Sequence, residues 1–324
     1  MKEKQIRIIF YGTPEIAAYQ LKYLLDKKYN VVAVVTQPDK PSGRGQKISQ
    51  PAVKLTALEY GIPVLQPEKL KTPEFEQQIR DLNPDMQIVM AYRMIPASIY
   101  SIAPLGTFNL HTSLLPQYRG AAPINRAIMN GETVSGITTF LLDEKMDCGK
   151  IVHNQAIEIT PQMNAGDLHD EMMRLSPTLI EKTIYTLLSK NPQLQEQIVP
   201  SGEELKPAPK LFKPDMLIDW TMQGERIINQ IRGLSPYPAA YAEFYDNQTN
   251  KTYQFKIFAA EFYKKEIATS QIGIITFKDK NIIEVTCSDG LIQITDIQLS
   301  GKKRMTAEEF LRGFKIRYTL KSCK

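Results

Sequence analysis

Residues 5–36 read QIRIIFYGTPEIAAYQLKYLLDKKYNVVAVVT. The stretch opens on a short apolar run rich in β-branched residues, Gln5–Tyr11. Gly12, Thr13 and Pro14 then turn the chain. Proline suits the first turn of a helix, because its φ is already helical and the N–H it lacks would have no partner there. The stretch closes on Asn30–Thr36, NVVAVVT, whose interior is wholly apolar. Such a run predicts a strand buried on both faces, as in a parallel sheet covered by helices.

The same alternation continues outward. Ile62–Leu65 is a shorter strand signal, 72–82 is charged and helical, and Asp85–Tyr92 (DMQIVMAY) and Gly106–His111 (GTFNLH) add two more strands. Beyond residue 131 the pattern changes. Ser135–Leu142 and Lys150–Ile159 flank a short polar turn and read as an antiparallel extension, with a long amphipathic helix after them over 165–189. The expected class is α/β, a Rossmann-like and mostly parallel sheet, whose sites lie at the carboxyl ends of its strands. Pro192, Pro200, Pro207 and Pro209 crowd the segment 190–212 and mark a linker. A helical stretch near 222–233 follows, and then about five strands: Ala240–Tyr245, Tyr253–Phe262, Gly273–Phe277, Ile282–Cys287 and Leu291–Leu299. Short strands separated by turn signals predict a small OB-like β-barrel. The expected division is 1–190 catalytic, 191–208 linker and 209–324 barrel.

Composition sets outer bounds. With 43% hydrophobic and 23% charged residues over 324 positions, the chain has enough core for two globular domains. It has no apolar run long enough to span a bilayer and no signal peptide in MKEKQIRIIFYGTPE, so no membrane partner is expected. Cys148, Cys287 and Cys323 are odd in number and widely spaced, which points to a reducing compartment and a cytoplasmic location. Residues 207–324 carry 18 Lys and Arg against 13 Asp and Glu, so the whole net charge of +5 sits in the C-terminal third. A phosphate-rich partner would be drawn there, although a solvated basic surface looks the same by charge alone.

The chemistry concentrates in residues 106–124, GTFNLHTSLLPQYRGAAPI. Asn109 and His111 share one face of a strand, at its carboxyl end. A carboxamide can donate to an oxyanion, and an imidazole can do the same or relay a proton near neutral pH. A structural Asn and a buried His are the plainer alternative. A second segment, DEKMDCG over 143–149, holds Asp147 in a tight turn. Its carboxylate would orient an imidazole or order a proton-carrying water, though Asp143 and Glu144 lie nearby and spacing alone does not choose. Cys148 makes a poor nucleophile beside those acids. His111 and His153 form no compact pair for a metal. A third segment, QPDKPSGRGQKISQ over 37–50, carries Lys40, Arg44 and Lys47 and reads as a mobile basic loop over the sheet end, suited to a nucleic-acid backbone. Gly12 stands alone after the first strand, so no GxGxxG forms, and there is no Walker A motif. Neither a nicotinamide nor a flavin is expected.

Together these residues resemble the methionyl-tRNA formyltransferase family, nearly end to end. YGTPEIAA, QPDKPSGRG, NLHTSLLPQYRGAAPI with MDCG, PYPAAY and GKKRMTAEEFLRG carry the likeness. The Asn-x-His and Asp set belongs to the wider folate-dependent formyltransferase superfamily. The basic loop and the C-terminal stretches narrow it. The resemblance implies a catalytic trio of Asn109, His111 and Asp147 and folate contact at Ser113, Leu114, Leu115 and Pro116. It implies tRNA contact by the loop of Lys40, Arg44 and Lys47, and by the barrel. It implies 10-formyltetrahydrofolate as co-substrate, no metal, methionyl initiator tRNA as acceptor, direct attack of the amine through a tetrahedral intermediate, and a monomer. One position departs: Arg93, in AYRMIP, stands where the family commonly has glycine near the folate. A formyltransferase for a small amine, a non-catalytic RNA-binding protein and a formyl-folate hydrolase are the competing readings.

Overall fold

The structure is a computed structural model and describes residues 4–42, 47–199, 201–278, 281–314 and 319–323. It divides into two compact units. One comprises Met1–Gly120, Ser135–Ile157 and Asp170–Pro207, the other Ala121–Val134, Glu158–His169 and Ala208–Lys324.

In the first unit β1 (Ile8–Gly12), α1 (Glu15–Asp26) and β2 (Val31–Val35) form the parallel pair read from residues 5–36. Every residue of β1 is buried, which is why its sequence shows no polar alternation. The segment expected as a mobile loop instead pairs β3 (Lys40–Ser42) with β4 (Lys47–Ser49) as an antiparallel hairpin. Three-residue strands containing a proline are too short to show a period in sequence. Then come α2 (Ala52–Glu59), β5 (Val64–Leu65), α3 (Pro73–Asp81), β6 (Met86–Met90), α4 (Ala97–Tyr100) and β7 (Thr107–His111). α3 starts where it does because the Thr72 hydroxyl accepts from the Phe75 N–H at 3.2 Å. Phe75 and Ile79, four residues apart, are its buried stripe.

After α5 (Pro123–Met129), which belongs to the second unit, β8 (Val134–Leu141), β9 (Ile151–Glu158) and α6 (Ala165–Leu187) follow. The sheet order is β5-β2-β1-β6-β7-β8-β9. Pairing is parallel from β5 to β7, and β8 joins β7 antiparallel. β1 lies between β2 and β6, so the chain winds away from it on both sides. The crevice at such a switch point, at the carboxyl ends of the strands, is where open α/β sheets bind ligands.

The second unit holds α7 (Lys213–Met216), α8 (Gly224–Leu234) and a β-barrel. Its elements are β10 (Ala240–Asp246), β11 (Lys251–Lys264), β12 (Ile274–Lys278), β13 (Ile282–Cys287), β14 (Gly290–Leu299), β15 (Met305–Thr306), α9 (Ala307–Gly313) and β16 (Leu320–Ser322). Neighbours run β11-β10-β16-β12-β13-β14, all antiparallel, and β14 pairs back onto β11 to close the ring. Closure removes the open edges that an unpaired sheet would expose. The strand that completes it, β16, was not expected, because three residues carry no readable alternation. Trp220, Phe244 and Phe255 are fully buried in the barrel core. Among the described residues no helix is long and apolar enough to cross a membrane.

Candidate active site

The site is built where β7 ends. Phe108 and Leu110 are buried in the core, and Asn109 and His111 project together on the other face. His111 is 7% exposed, and its Nε2 lies 2.9 Å from the Tyr118 carbonyl oxygen. A carbonyl only accepts, so Nε2 carries the proton and donates it. Nδ1 is then the lone-pair atom of the neutral ring and becomes a donor on protonation. Asn109 is half-buried, and its Oδ1 is buried with no partner. An orphaned buried acceptor costs about 1–3 kcal/mol. Turning the amide over would only place its NH₂ in the same position. A polar group left like this is one that a bound molecule can complete.

Asp147 comes from the turn between β8 and β9. Its Oδ2 accepts from the Gly120 N–H at 3.0 Å. His111 and Asp147 therefore engage one short loop, at backbone groups two residues apart. The imidazole is oriented by the Tyr118 carbonyl and not, as expected from the sequence, by the carboxylate. Tyr118 (φ +59°) and Asp147 (φ +53°) both sit in the left-handed region that such side chains rarely adopt. Strain of about 1–3 kcal/mol at each persists only where the surroundings over-determine it.

What over-determines it was not legible in the sequence. Gln197 donates from Nε2 to the Asp147 carbonyl at 2.9 Å and to the Gly149 carbonyl at 2.8 Å. Its Oε1 accepts from Arg119 Nε at 3.1 Å and Nη2 at 2.6 Å. One carboxamide thus staples the turn of Asp147 to the loop after His111. Gly149 is required by close approach: a Cβ there would lie 1.7 Å from the Leu141 carbonyl oxygen. Gln197 stands in a proline-rich stretch far along the chain from both, and no motif marks it.

The residues expected at the folate form a pinned segment. Ser113 is fully buried, its hydroxyl donates to the Gln117 carbonyl at 2.6 Å, and its own carbonyl accepts from Thr138 Oγ1 at 2.7 Å. The Thr138 hydroxyl also accepts from the Leu115 N–H at 3.2 Å. The Leu115 side chain is core, packed with Phe140 and Ile151. Leu114 and Pro116 are half-buried and keep accessible surface. Arg93 is turned onto the carbonyls of Glu68, at 2.7 Å, and Pro67. It holds the segment after β5, and beside it burial pushes the Tyr92 phenol up, so that hydroxyl stays protonated.

Of the basic loop, Lys40 donates to Gln37 Oε1 at 3.2 Å. Arg44 lies outside the described residues, and Lys47 opens β4 with its side chain outside them. The hairpin root is staked by Asp39, which accepts from Gln66 Nε2 at 2.8 Å and Lys54 Nζ at 2.7 Å. Those bonds, Gln66 foremost, hold its carboxyl below the usual range. Among the described residues no group of three or more His, Cys, Asp or Glu is placed to hold a metal ion.

The formyl transferase family model matches residues 4–184, and the model of the formyl transferase C-terminal domain matches 210–315. A methionyl-tRNA formyltransferase of Bacteroides fragilis is 45% identical over 316 residues, 97% of each chain. One from Flavobacterium johnsoniae is 44% identical over 310 residues, 96% of each chain. Among solved structures, the sugar 3N-formyl transferase WlaRD shares the fold with a TM-score of 0.62 at 19% identity, covering 92% of this chain and 99% of its own. HypX from Aquifex aeolicus, in complex with tetrahydrofolic acid, aligns with a TM-score of 0.61 at 15% identity over 97% of this chain and 50% of its own. With both domain models matched and relatives of this identity spanning almost its whole length, the chain belongs to the methionyl-tRNA formyltransferase family.

Proposed function

We propose that the chain transfers the formyl group of 10-formyltetrahydrofolate to the amino group of methionine carried by initiator tRNA, a step of translation initiation. The observation that carries this reading is the β7 end itself. A half-buried amide and a buried, oriented imidazole share one strand face there, and the carboxylate of a residue with left-handed backbone is tied to the following loop. The relatives named above support the acceptor.

The formylated folate supplies an activated one-carbon carbonyl. Asn109 donates its N–H to the oxygen of that carbonyl as negative charge develops there. His111, its Nε2–H held on the Tyr118 carbonyl, stabilises the same oxygen from its other ring nitrogen. Both donors are in place beforehand, so little reorganisation is needed during reaction. In this reading Asp147, tied to the loop after His111, accepts the proton that the attacking amine must lose, directly or through an ordered water, before it passes to the departing nitrogen. Ser113, Leu114, Leu115 and Pro116 shape the folate side, with the backbone of 113–115 held in place by the Thr138 pin. Lys40, Arg44 and Lys47 engage the acceptor stem. In this reading residues 1–190 are catalytic, 191–208 are the linker and 209–324 bind the tRNA body. The chain works as a monomer in the cytoplasm.

The test is incubation with 10-formyltetrahydrofolate and methionyl initiator tRNA, with the aminoacyl end analysed by mass. A formylated methionine is expected. Formylation of an amino sugar nucleotide with no reaction on methionyl-tRNA would overturn the reading.

A further inference from the structure

The PYPAAY stretch has no part in the chemistry above, yet it carries an anomaly. Tyr237 is 82% exposed, more than any other large apolar side chain among the described residues. It does not stand on a loose loop. Leu234, Ser235 and Ala239 on either side are buried. The Ala239 N–H donates to the Leu234 carbonyl at 2.8 Å, closing the turn. The Ser235 carbonyl accepts from the Gly166 N–H at 3.1 Å, and Pro236 packs where any side chain at 166 would stand. The preceding Gly233 carbonyl accepts from Asn125 Nδ2 at 2.7 Å. Lys256 Nζ donates to the Pro238 carbonyl at 3.1 Å, so a cation stands one residue from the ring.

A ring held out by a pinned turn loses little entropy on binding, and both its faces are open. Beside a cation, in the part of the chain that carries all of its net positive charge, it suits a nucleotide: the base on the ring and the phosphate on the ammonium. A base offers its face only where it is unpaired or at a helix end.

We propose that Tyr237 is a stacking platform for an unpaired base of the RNA substrate, with Lys256 on the adjoining phosphate. The proposal rests on the tRNA reading above and deepens it by naming the contact. It is tested with the full chain by measuring binding of deacylated initiator tRNA at several salt concentrations. Tyr237→Ala weakens binding roughly 5- to 150-fold, the range spanned by the loss of one stacked base. Tyr237→Phe stays within about twofold, because stacking does not need the hydroxyl. The salt slope stays as in the parent for both, whereas Lys256→Ala lowers it by about one. The chain's single tryptophan, Trp220, is fully buried, so Tyr237→Trp adds an exposed indole whose emission is quenched when RNA binds. Parent-like tRNA affinity in Tyr237→Ala, or a loss in Tyr237→Phe as large as in Tyr237→Ala, overturns the platform. So does a change in folate KM in place of tRNA affinity. These results leave formylation of methionyl-tRNA by the parent intact, so failure of the platform is separable from failure of the functional reading.

Discussion

The imidazole of His111 keeps one nitrogen on a backbone carbonyl and leaves the other for the substrate. A ring fixed this way donates without searching for its orientation. Asn109 shares the strand face of that ring. Replacing either by alanine removes one preset donor, and kcat is expected to fall about 10²- to 10³-fold with KM for tRNA little changed. Steady-state kinetics check this, and parent-like turnover in His111→Ala would remove that residue from the chemistry. Gly149 makes a different kind of contribution. Its missing Cβ lets the Asp147 turn press against the Leu141 carbonyl. Gly149→Ala must push backbone against backbone, which is expected to cost about 1–3 kcal/mol in urea unfolding and to lower kcat by displacing Asp147. An alanine variant of unchanged stability and rate would show that the turn is not held as tightly as described.

At the scale of elements, two attachments hold parts of the first unit together. The β3–β4 hairpin is staked at its root by Asp39, whose partners Gln66 and Lys54 come from other parts of the first unit. Asp39→Ala frees the root, and KM for tRNA is expected to rise about fivefold, as for loss of one partly exposed ion pair, with folate KM unmoved. Equal tRNA kinetics in the variant and parent would show that the root does not position the basic residues. The second attachment joins β9 to α6, where His153 Nε2 meets Thr186 Oγ1 at 2.8 Å. Burial, and then the Lys182 charge, lower the His153 pKa from its usual 6.5. The folded chain therefore prefers the neutral ring. Its contribution to stability is complete above the unfolded value and is lost as pH falls through 6.5 toward the lowered folded value. The urea midpoint is expected to drop between pH 7.5 and 5.5, and His153→Gln is expected to flatten that drop. An equally steep drop in the variant would assign it to other groups.

For the molecule as a whole, charge is distributed so that the catalytic half is neutral and the C-terminal third is basic. An RNA held by that third must release counterions, whereas a folate bound in a formed pocket need not. Raising salt from 50 to 200 mM is therefore expected to weaken tRNA affinity on the order of 10- to 100-fold, for two to four phosphates neutralised, with folate KM nearly constant. Fluorescence titrations across the salt series measure both. A flat tRNA response would mean that the basic surface is solvated and nothing more.

What the sequence by itself determined is the set of elements and their class. Continuous apolar runs foretold the parallel strands, the turn at Gly12–Pro14 the first crossover, and period-two stretches most of the barrel. It also put Asn109 and His111 on one face, because alternation along a strand is a local rule. Only the tertiary structure decided that the Tyr118 carbonyl holds the imidazole, that Gln197 ties the Asp147 turn to the next loop, and that Leu320–Ser322 closes the barrel. The reason is physical: periodicity and turn chemistry act between neighbours in a repeating element and leave a pattern, while a hydrogen bond from a side chain to a loop carbonyl, whether seven positions away as for His111 or about fifty as for Gln197, is chosen by packing and leaves none.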